Sequence, residues 1–317
     1  MAFEIRNMTI GYKGAPPLVE NINLTAPAGE LVSLMGRNGV GKSTMLRSMA
    51  GVARPVSGDV LLDGVSLFGM SAGELARHAA FVSTEIVSIA HLRVWDVVSL
   101  GRAPYTGWLG TLDSADRDRV TSALRQTGML EFADIPLDRL SDGERQRVMI
   151  ARALAQDTKL ILLDEPTAYL DLPNRYQIAV LLRDLARSTG KIIIFSTHDL
   201  STALRLSDAM WVMSHAGVVT GAPEDLMASS GFGSIFRGTN LSLVKGTGEI
   251  HLGESPSKFV RAEAVSPLLL RALERCGVGV DPQAAVEVSA DVDGGYAASG
   301  QKFASIYLLS QYLKELK

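Results

Sequence analysis

The residues best suited to chemistry in this sequence run from 36 to 44 and fit the pattern G-x-x-x-x-G-K-[ST], which binds phosphate. Glycines in such a loop let backbone N–H groups close around phosphate oxygens, which side chains would obstruct. Lys42 can reach the β- and γ-phosphates of a nucleotide, and Ser43 can offer a hydroxyl to Mg²⁺. The predicted phosphate-binding residues are Gly36, Arg37, Asn38, Gly39, Val40, Gly41, Lys42, Ser43 and Thr44.

Such a loop needs a strand before it and a helix after it, and the flanking residues supply both patterns. Residues 31–35 form an apolar run typical of a buried strand, and residues 45–50 are typical of a helix that Gly51 ends. A helix that starts at the loop points its unpaired N–H groups and positive dipole end at the phosphates. A glycine-rich turn that binds nothing is the alternative, and the Lys42-Ser43 pair in this context disfavours it.

Two acids, Asp164 and Glu165, directly follow the apolar run 160–163, which is typical of a buried strand. Ligands of open α/β sheets bind at the carboxyl ends of the strands. Asp164 is therefore predicted to hold Mg²⁺, directly or through water, and Glu165 to polarise an attacking water. Taken alone, the pattern better fits a strand that ends in solvated acids. The phosphate-binding loop makes the catalytic interpretation the better one.

A helix is predicted to start after Leu140, where Ser141 and Glu144 form the capping-box pattern S-x-x-E. Helix capping alone would explain why serine and glutamate occupy these positions. Phosphate binding is the other, because Ser141 and the Gly143 N–H can donate to a phosphate at a helix N-terminus. From these residues alone both interpretations stay open.

The composition bounds the class of protein. A chain of 317 residues with 47% apolar residues is long enough for one large or two ordinary domains. The net charge of −3 argues against a broad nucleic-acid surface, and the single cysteine, Cys276, fits a reducing compartment. The first residues lack the apolar core of a signal peptide, and no apolar run approaches the ~20 residues of a membrane span. Any role in a membrane process is therefore expected from outside the bilayer.

The order of the predicted elements indicates a parallel sheet covered by helices. Apolar strands at 160–163 and 192–196 flank a helical stretch at 174–187, which is the β-α-β arrangement of such sheets. Residues 94–155 are predicted to be mostly helical. Further strands are predicted at 3–10, 22–25, 59–62 and 79–83. After residue 240 the predicted elements are a helix at 266–275, a strand at 285–288, a turn at 291–296 and a helix at 303–314.

Together, these motifs resemble the ATP-binding subunit of an ABC transporter over residues 1–240. Walker A at 36–44, an LSGGQ-like signature at 140–146 and Walker B at 160–164 occur in the order and spacing of that family. The resemblance implies an α/β fold with a P-loop NTPase core, an ABC-type antiparallel β subdomain and an inserted helical subdomain at about residues 86–155. Residues 241–317 lie outside the resemblance and are expected to form a small C-terminal α/β extension of unknown role.

The resemblance assigns roles that single residues leave undecided. It implies ATP and Mg²⁺ as ligands, with Tyr12 stacked on adenine and His198 in contact with the γ-phosphate. Alone, these two would be taken for a turn aromatic and a structural histidine. The implied catalytic residues are Glu165, His198 and Lys42, the further nucleotide ligands are Tyr12, Ser141, Gly143 and the D-loop Asp171, and the metal ligands are Ser43, Asp164 and Thr84.

Two positions depart from the family pattern. The signature reads LSDGE, so Asp142 stands where glycine is usual, although Ser141 and Gly143 are retained. Thr84 stands where the family usually has a glutamine that touches Mg²⁺ and water and relays contact with the membrane subunit. Threonine keeps an oxygen on a shorter side chain, so Thr84 is expected to reach the Mg²⁺ shell through water.

Residues 100–105, Leu-Gly-Arg-Ala-Pro-Tyr, are similar to an L-G-R-x-P stretch in ATPases of iron-siderophore, haem and cobalamin importers. Alone, so short a string also fits a helix–turn junction. The resemblance implies an ATP-hydrolysing subunit that powers such an importer as a head-to-tail homodimer with ATP at the interface. Its implied partners are transmembrane permease subunits and, indirectly, a substrate-binding protein, and no nucleic-acid partner is expected. Its implied location is peripheral, at the cytoplasmic face of the inner membrane. The alternatives are a non-transport ABC ATPase acting on ribosomes, DNA or a cytosolic assembly, and an exporter ATPase.

Overall fold

The computed structural model describes residues 2–12, 14–84, 92–107, 110–229, 231–244, 248–253, 256–262, 266–290 and 295–315. They belong to two compact units, Met1–Arg237 with Lys245–Gly248, and Gly238–Val244 with Glu249–Lys317. Within the described ranges, no helix is long and apolar enough to cross a membrane.

Strands and helices alternate along most of the first unit. Its strands are β1 (Ala2–Ile10), β2 (Val19–Pro27), β3 (Leu31–Gly36), β4 (Ser57–Leu62), β5 (Val65–Ser66), β6 (Ala79–Val82), β7 (Leu160–Leu163), β8 (Ile192–Ser196), β9 (Ala209–Ser214) and β10 (Gly217–Gly221). Its helices are α1 (Lys42–Met49), α2 (Ala72–His78), α3 (Val94–Ser99), α4 (Ser114–Gln126), α5 (Asp142–Ala155), α6 (Leu172–Thr189), α7 (Leu200–Leu206), α8 (Pro223–Ala228) and α9 (Gly233–Phe236). The strands and helices predicted for this part of the chain are present, with small shifts of their ends.

Two sheets build the first unit. The larger has the strand order β10-β9-β3-β8-β7-β6, in which all neighbouring pairs are parallel except β9 with β10. The smaller is antiparallel, in the order β2-β1-β4-β5. The central strands β3, β7 and β8 are buried along their whole length, which explains their continuous apolar sequences. Parallel pairing brings the carboxyl ends of β3, β6, β7 and β8 to one edge, where the candidate site lies.

Two apolar clusters hold these layers together. One lies between the two sheets and α1, and includes the stacked rings of Phe3 and Trp211 at 6.5 Å between centroids. The other packs the larger sheet against α3, α4, α5 and α6. Full burial of one large apolar side chain contributes roughly 1.5–3 kcal/mol, so these clusters dominate the stabilising side of the balance. They fix the strand ends that form the candidate site relative to α5, the helix that carries the signature residues.

The insertion between β6 and β7 is helical, as the sequence pattern predicts. It contains α3, α4, α5 and short 3₁₀ turns, and its described residues form no strand. Helices α3 and α4 both pack against α5, whose buried face includes Val148, Ile150 and Ala151. Residues 86–91, at the start of the predicted helical subdomain, lie outside the described residues.

The second unit is a small two-layer α/β structure. Its elements are β11 (Leu241–Leu243), β12 (Ile250–Leu252), β13 (Lys258–Ala262), α10 (Pro267–Arg275), β14 (Val278–Val280), β15 (Glu287–Ala290), β16 (Tyr296–Ala298), β17 (Gln301–Phe303) and α11 (Ile306–Glu315). Strands β11 and β12 pair with each other, and the other five form a sheet in the order β14-β13-β15-β16-β17. One face of that sheet packs on α10 and α11 through Val260, Val288, Leu273 and Leu309.

The sequence pattern predicted the helices of this unit better than its strands. The predicted strand at 285–288 lies at Glu287–Ala290, and the predicted helix at 303–314 begins only at Ile306 because Gln301–Phe303 pairs with β16. Most of the predicted turn, residues 291–294, lies outside the described residues. Strands β11, β12, β13, β14, β16 and β17 were not predicted, because strands of three to five residues are too short to display a clear alternation.

Candidate active site

The phosphate-binding loop connects the end of β3 to the start of α1. Gly36 and Gly41 both have positive φ, 159° and 112°, in a region that side chains disfavour. A Cβ on Gly36 would also lie 2.6 Å from the Met213 carbonyl oxygen, so only glycine fits there. No side chain caps α1, whose first backbone N–H groups are therefore available to an anion at this end.

Lys42 opens α1 and folds back over the loop. Its Nζ donates to the carbonyl oxygens of Gly36 at 3.0 Å and Arg37 at 3.3 Å, and the residue is only 6% exposed. Burial lowers the pKa of the Lys42 ammonium, and the nearby carboxylates of Glu165 and Asp164 act in the opposite direction. The loop thus holds one cationic donor close to two acids.

An open cavity of about 370 Å³ brings the loop together with residues from three distant parts of the chain. The Tyr12 hydroxyl lies 3.2 Å from Thr44 Oγ1 at its rim, and the tyrosine is 64% exposed. Glu165 and His198 face the loop from the ends of β7 and β8. The cavity is lined by Tyr12, Leu18, Asn38, Gly39, Gly41, Lys42, Ser43, Thr44, Glu165 and His198.

Asp164 and Glu165 follow β7, and a neighbouring serine holds both. Ser196, the last residue of β8, donates through Oγ to Asp164 Oδ1 at 2.7 Å and accepts the Glu165 N–H at 2.8 Å. Asp164 is 3% exposed and Ser196 fully buried. Sequence reasoning missed Ser196. The available signal was a polar residue at the end of the apolar strand that pairs with β7.

Glu165 and His198 contact each other directly. His198 Nε2 lies 2.5 Å from Glu165 Oε1. Glu165 has φ of 48°, so its backbone leaves the extended conformation of β7 at this residue, and its carbonyl accepts the Ala168 N–H at 3.0 Å. This turn places the Glu165 side chain beside the phosphate-binding loop, while the buried Asp164 stays anchored between the strand ends.

Thr84 does not line the cavity of the phosphate-binding loop. It follows β6 and lines a second, smaller cavity, which Glu165 also lines. Its other lining residues include Asp142 of α5 and Tyr169 of the segment after β7. Thr84 thus shares the second cavity with Glu165 and does not line the loop cavity, and its predicted place in the Mg²⁺ shell stays a prediction.

Ser141 caps α5 with a complete capping box. Its Oγ donates to Glu144 Oε2 at 2.7 Å, and its N–H donates to the same oxygen at 2.8 Å. These hydrogen bonds hold the pKa of the Glu144 carboxyl below its usual value. Gly143 packs against Asn174, whose Oδ1 would lie 3.1 Å from an added Cβ. Ser141 and Gly143 do not line the loop cavity of their own chain.

Asp171 is the N-cap of α6, where its Oδ1 accepts the Asn174 N–H at 3.0 Å. Two residues of the same segment, Tyr169 and Leu172, are unusually exposed for apolar side chains, whereas Leu170 between them is buried. Tyr169 is 81% exposed with φ of 63°, and Leu172 is 63% exposed. Asp171 itself is not among the residues lining the loop cavity. Tyr169 and Leu172 therefore present apolar surface on either side of the Asp171 cap.

Comparisons with known proteins agree with this arrangement. Residues 19–168 match the ABC transporter family. The chain is 40% identical to the achromobactin transport ATP-binding protein CbrD of Dickeya dadantii, over 71% of this chain and 84% of that protein. It is 41% identical to the iron(3+)-hydroxamate import ATP-binding protein FhuC of Bacillus subtilis, over 66% and 78% of the two chains.

A solved structure supports the same relation at the level of the fold. The dimeric structure of MJ0796, a bacterial ABC transporter cassette, aligns with a TM-score of 0.60 and 31% identity. The alignment covers 70% of this chain and 98% of the cassette. With its phosphate-binding loop, strand-end acids and signature helix in the arrangement described above, the chain belongs to the ABC transporter family as an ATP-binding subunit that hydrolyses ATP.

Proposed function

We propose that this chain is the ATPase subunit of an importer of iron chelates, with iron-siderophore complexes favoured over haem or cobalamin-like complexes. The observation that carries the proposal is the cavity in which the phosphate-binding loop, Glu165 and His198 face one another. These groups can bind phosphate and orient water in one place. The cargo class is supported by the two relatives named for achromobactin transport and iron(3+)-hydroxamate import.

The loop would hold the phosphates of ATP through the N–H groups at the start of α1 and the Lys42 ammonium. Tyr12 offers its exposed ring to the adenine. The Ser43 hydroxyl and the Asp164 carboxylate are the oxygens proposed to hold Mg²⁺, which would neutralise phosphate charge. No group of three or more His, Cys, Asp or Glu in the described ranges could hold a metal ion. Two protein oxygens suit Mg²⁺, which usually relies on substrate phosphates and water.

Glu165 is the residue proposed to orient the attacking water. Its carboxylate lies at the cavity wall, where His198 contacts it at 2.5 Å. His198 and Lys42 would stabilise the charge that develops on the γ-phosphate oxygens. Thr84 lines the second cavity together with Glu165, and its contact with the metal shell is proposed to run through water because the threonine side chain is short.

A second copy of the chain is proposed to complete the site. Ser141, Gly143 and Asp171 do not line the loop cavity of their own chain. In a head-to-tail dimer they would face the ATP of the partner, where the N-terminus of α5 favours an anion. The exposed side chains of Tyr169 and Leu172 supply apolar surface for such a contact. The structure of the related cassette MJ0796 is dimeric.

Transport would require partners. We propose that the dimer binds permease subunits peripherally at the cytoplasmic face of the inner membrane, and that a substrate-binding protein delivers cargo from the other side. The proposed permease contact lies near residues 84–102, of which residues 85–91 lie outside the described residues. Closure on ATP and opening after hydrolysis would move the permease between its two states.

Reconstitution in proteoliposomes with candidate permease subunits tests the proposal. We expect ATP-dependent uptake of a ferric siderophore and an ATPase rate that the loaded binding protein increases. Glu165→Gln should bind ATP and, with Mg²⁺, form a dimer that elutes early in gel filtration but does not transport. Lys42→Ala is the control that should fail to form this dimer because it lacks the phosphate-binding cation.

Three outcomes would contradict the proposal. Glu165→Gln could stay monomeric and hydrolyse ATP at the normal rate, which would remove Glu165 from the mechanism. Purification from cells could recover ribosomes or nucleic acid and no permease, which would favour a non-transport ATPase. The proteoliposomes could move substrate only outward, which would identify an exporter.

A further inference from the structure

The segment Leu-Gly-Arg-Ala-Pro-Tyr at 100–105 contains a buried ion pair. Arg102 is 7% exposed, and its Nε lies 2.8 Å from Asp116 Oδ1, with both side chains 8% exposed. Arg102 Nη1 also donates to the Ala155 carbonyl oxygen at 2.8 Å. The hydrogen bond from Arg102 holds the pKa of the Asp116 carboxyl below its usual value. The guanidinium is thus paired on two sides.

Both partners of Arg102 lie at helix ends. Ala155 is the last residue of α5, so its carbonyl is one that the helix itself leaves unpaired. Asp116 lies in the first turn of α4 and forms a capping box with Asp113, which accepts the Asp116 N–H at 2.7 Å. One buried cation therefore joins the start of α4 to the end of α5.

The neighbours of Arg102 strengthen the same junction. A Cβ on Gly101 would lie 2.3 Å from the Arg152 carbonyl oxygen, so the backbone of this segment touches the last turn of α5 directly. The Tyr105 ring lies 3.9 Å from the Arg102 guanidinium carbon. Gly101, Arg102 and Tyr105 therefore all contribute to the packing of this segment at the end of α5, the first two by direct contact and Tyr105 through Arg102.

Hydrogen bonds also connect this junction to α2 and the start of β6. Arg77 of α2 donates to the Pro104 carbonyl oxygen through Nε at 3.0 Å and Nη2 at 2.8 Å. Gln156, directly after α5, donates to the carbonyl oxygens of Ala76 at 2.6 Å and Ala79 at 3.1 Å. The end of α5 is therefore tied both to α4 and to the α2–β6 connection.

We propose that Arg102 is a positioning residue for the signature helix, an inference that rests on the proposed dimeric function. Helix α5 has 14 residues and is therefore about 21 Å long. A tilt of about 5° at its end moves its first turn by about 2 Å, whereas hydrogen bonds tolerate only a few tenths of an ångström. Arg102 holds one end of α5 so that Ser141, at the other end, meets the partner's phosphate.

The test compares one-subunit nucleotide binding with ATP-driven dimer formation. Arg102→Ala is combined with Glu165→Gln, which holds the closed dimer. We expect the nucleotide affinity of the monomer to stay within twofold, because the phosphate-binding loop is untouched. The ATP concentration that gives half-maximal dimer should rise at least tenfold. For Arg102→Lys this ATP concentration should lie between the values for Glu165→Gln alone and for Arg102→Ala with Glu165→Gln. Lysine keeps the charge but cannot donate to Asp116 and Ala155 with the geometry of a guanidinium.

A surface arginine of the same helical insertion provides the control. Arg119 lies on α4 and pairs with Asp157 just beyond α5, with 59% of its side chain exposed. Arg119→Ala should leave dimer formation unchanged, because solvent screens this pair. An equal effect of Arg119→Ala and Arg102→Ala would overturn the assignment of positioning to Arg102.

A double variant separates positioning from stability. Arg102→Ala with Asp116→Ala removes both buried charges, so thermal stability should recover relative to the single variants. Dimer formation should stay weak, because Ala155 still lacks its donor. Dimer formation that recovers together with stability would overturn the inference, as would a normal dimer in Arg102→Ala. A chain with Glu165→Gln alone that fails to dimerise overturns the proposed dimer and this inference with it.

Discussion

Ser196 Oγ donates a hydrogen bond to Asp164 Oδ1 across 2.7 Å, at the ends of two adjacent parallel strands. The same oxygen accepts the Glu165 N–H at 2.8 Å. One fully buried hydroxyl therefore connects the carboxylate proposed to face Mg²⁺ with the residue proposed to orient water. The relative position of these two acids depends on a residue that carries no charge itself.

Ser196→Ala is expected to impair both stability and metal use. It leaves the Glu165 N–H and one Asp164 oxygen without a partner, which costs about 1–3 kcal/mol in the free energy of unfolding. The Mg²⁺ concentration for half-maximal ATPase activity should rise severalfold, because the Asp164 carboxylate is free to rotate. Chemical denaturation and a Mg²⁺ titration of the ATPase rate measure the two effects.

Ser33 offers a matched control in the same sheet. It lies on β3, is also fully buried, and its Oγ has no hydrogen-bond partner among the described residues. Ser33→Ala therefore removes a buried hydroxyl without breaking a hydrogen bond, and it should be close to neutral. If Ser196→Ala matched Ser33→Ala in both measurements, the connection through Ser196 would have no energetic role.

The contribution of Ser196 shows where sequence patterns stop being informative. Strands β7 and β8 were predicted from their continuous apolar residues, and Asp164 and Glu165 from their place after β7. The register of the two strands, in which Leu163 lies opposite Phe195, is set by packing over the whole sheet. Only that register places Ser196 beside Asp164, so the contact could not be predicted from either strand alone.

Arg102 shows the same limit in the helical insertion. Its place in a family-like string was visible in the sequence, but its partners Asp116 and Ala155 lie 14 and 53 positions away. A buried ion pair is stabilising only when its two side chains are positioned with good geometry, and that position depends on how α3, α4 and α5 pack. In the second unit, short strands such as β16 and β17 lacked the length for a recognisable alternation.

Tyr12→Ala is expected to weaken ATP binding through loss of a stacking surface. The residue is 64% exposed at the cavity rim, so its ring is accessible to a planar base. Stacking of an aromatic side chain on a base is worth about 1–3 kcal/mol. Fluorescence titration with a labelled ATP analogue measures the change. Tyr12→Phe keeps the ring and loses only the 3.2 Å contact with Thr44, so it should bind nearly normally. Equal losses in both variants would exclude stacking.

Asp116→Asn is expected to show a pH-dependent cost. The folded-state pKa of Asp116 is lowered, chiefly by the hydrogen bond from Arg102, so the pair stabilises the protein fully above the ordinary pKa of 3.8. This stabilisation is lost as the pH falls from 3.8 through the lowered folded-state value. Breaking a buried pair costs about 3–5 kcal/mol, so the variant should be less stable by about that amount at pH 7.

Urea unfolding of wild-type and Asp116→Asn protein at pH 7, 5, 4 and 3 tests the sign. The difference in unfolding free energy between the two proteins should stay constant between pH 7 and 5. It should shrink below pH 4, because protonated Asp116 resembles asparagine. Arg93 and Asp134 form an exposed pair, so Asp134→Asn is a control with little cost at any pH. A difference that grew as the pH fell would contradict the assignment of the stabilisation to ionised Asp116.

Thr84→Ala is expected to change ATP hydrolysis by less than tenfold. Thr84 lines the second cavity together with Glu165 and does not line the loop cavity, so its proposed link to the metal shell is through water. One such mediated contact is worth about 1 kcal/mol. Thr84→Gln should be tolerated, and both variants should change the stimulation by permease more than the basal rate. ATPase rates with and without reconstituted permease measure this. A hundredfold loss of basal rate in Thr84→Ala would instead identify Thr84 as a direct metal ligand.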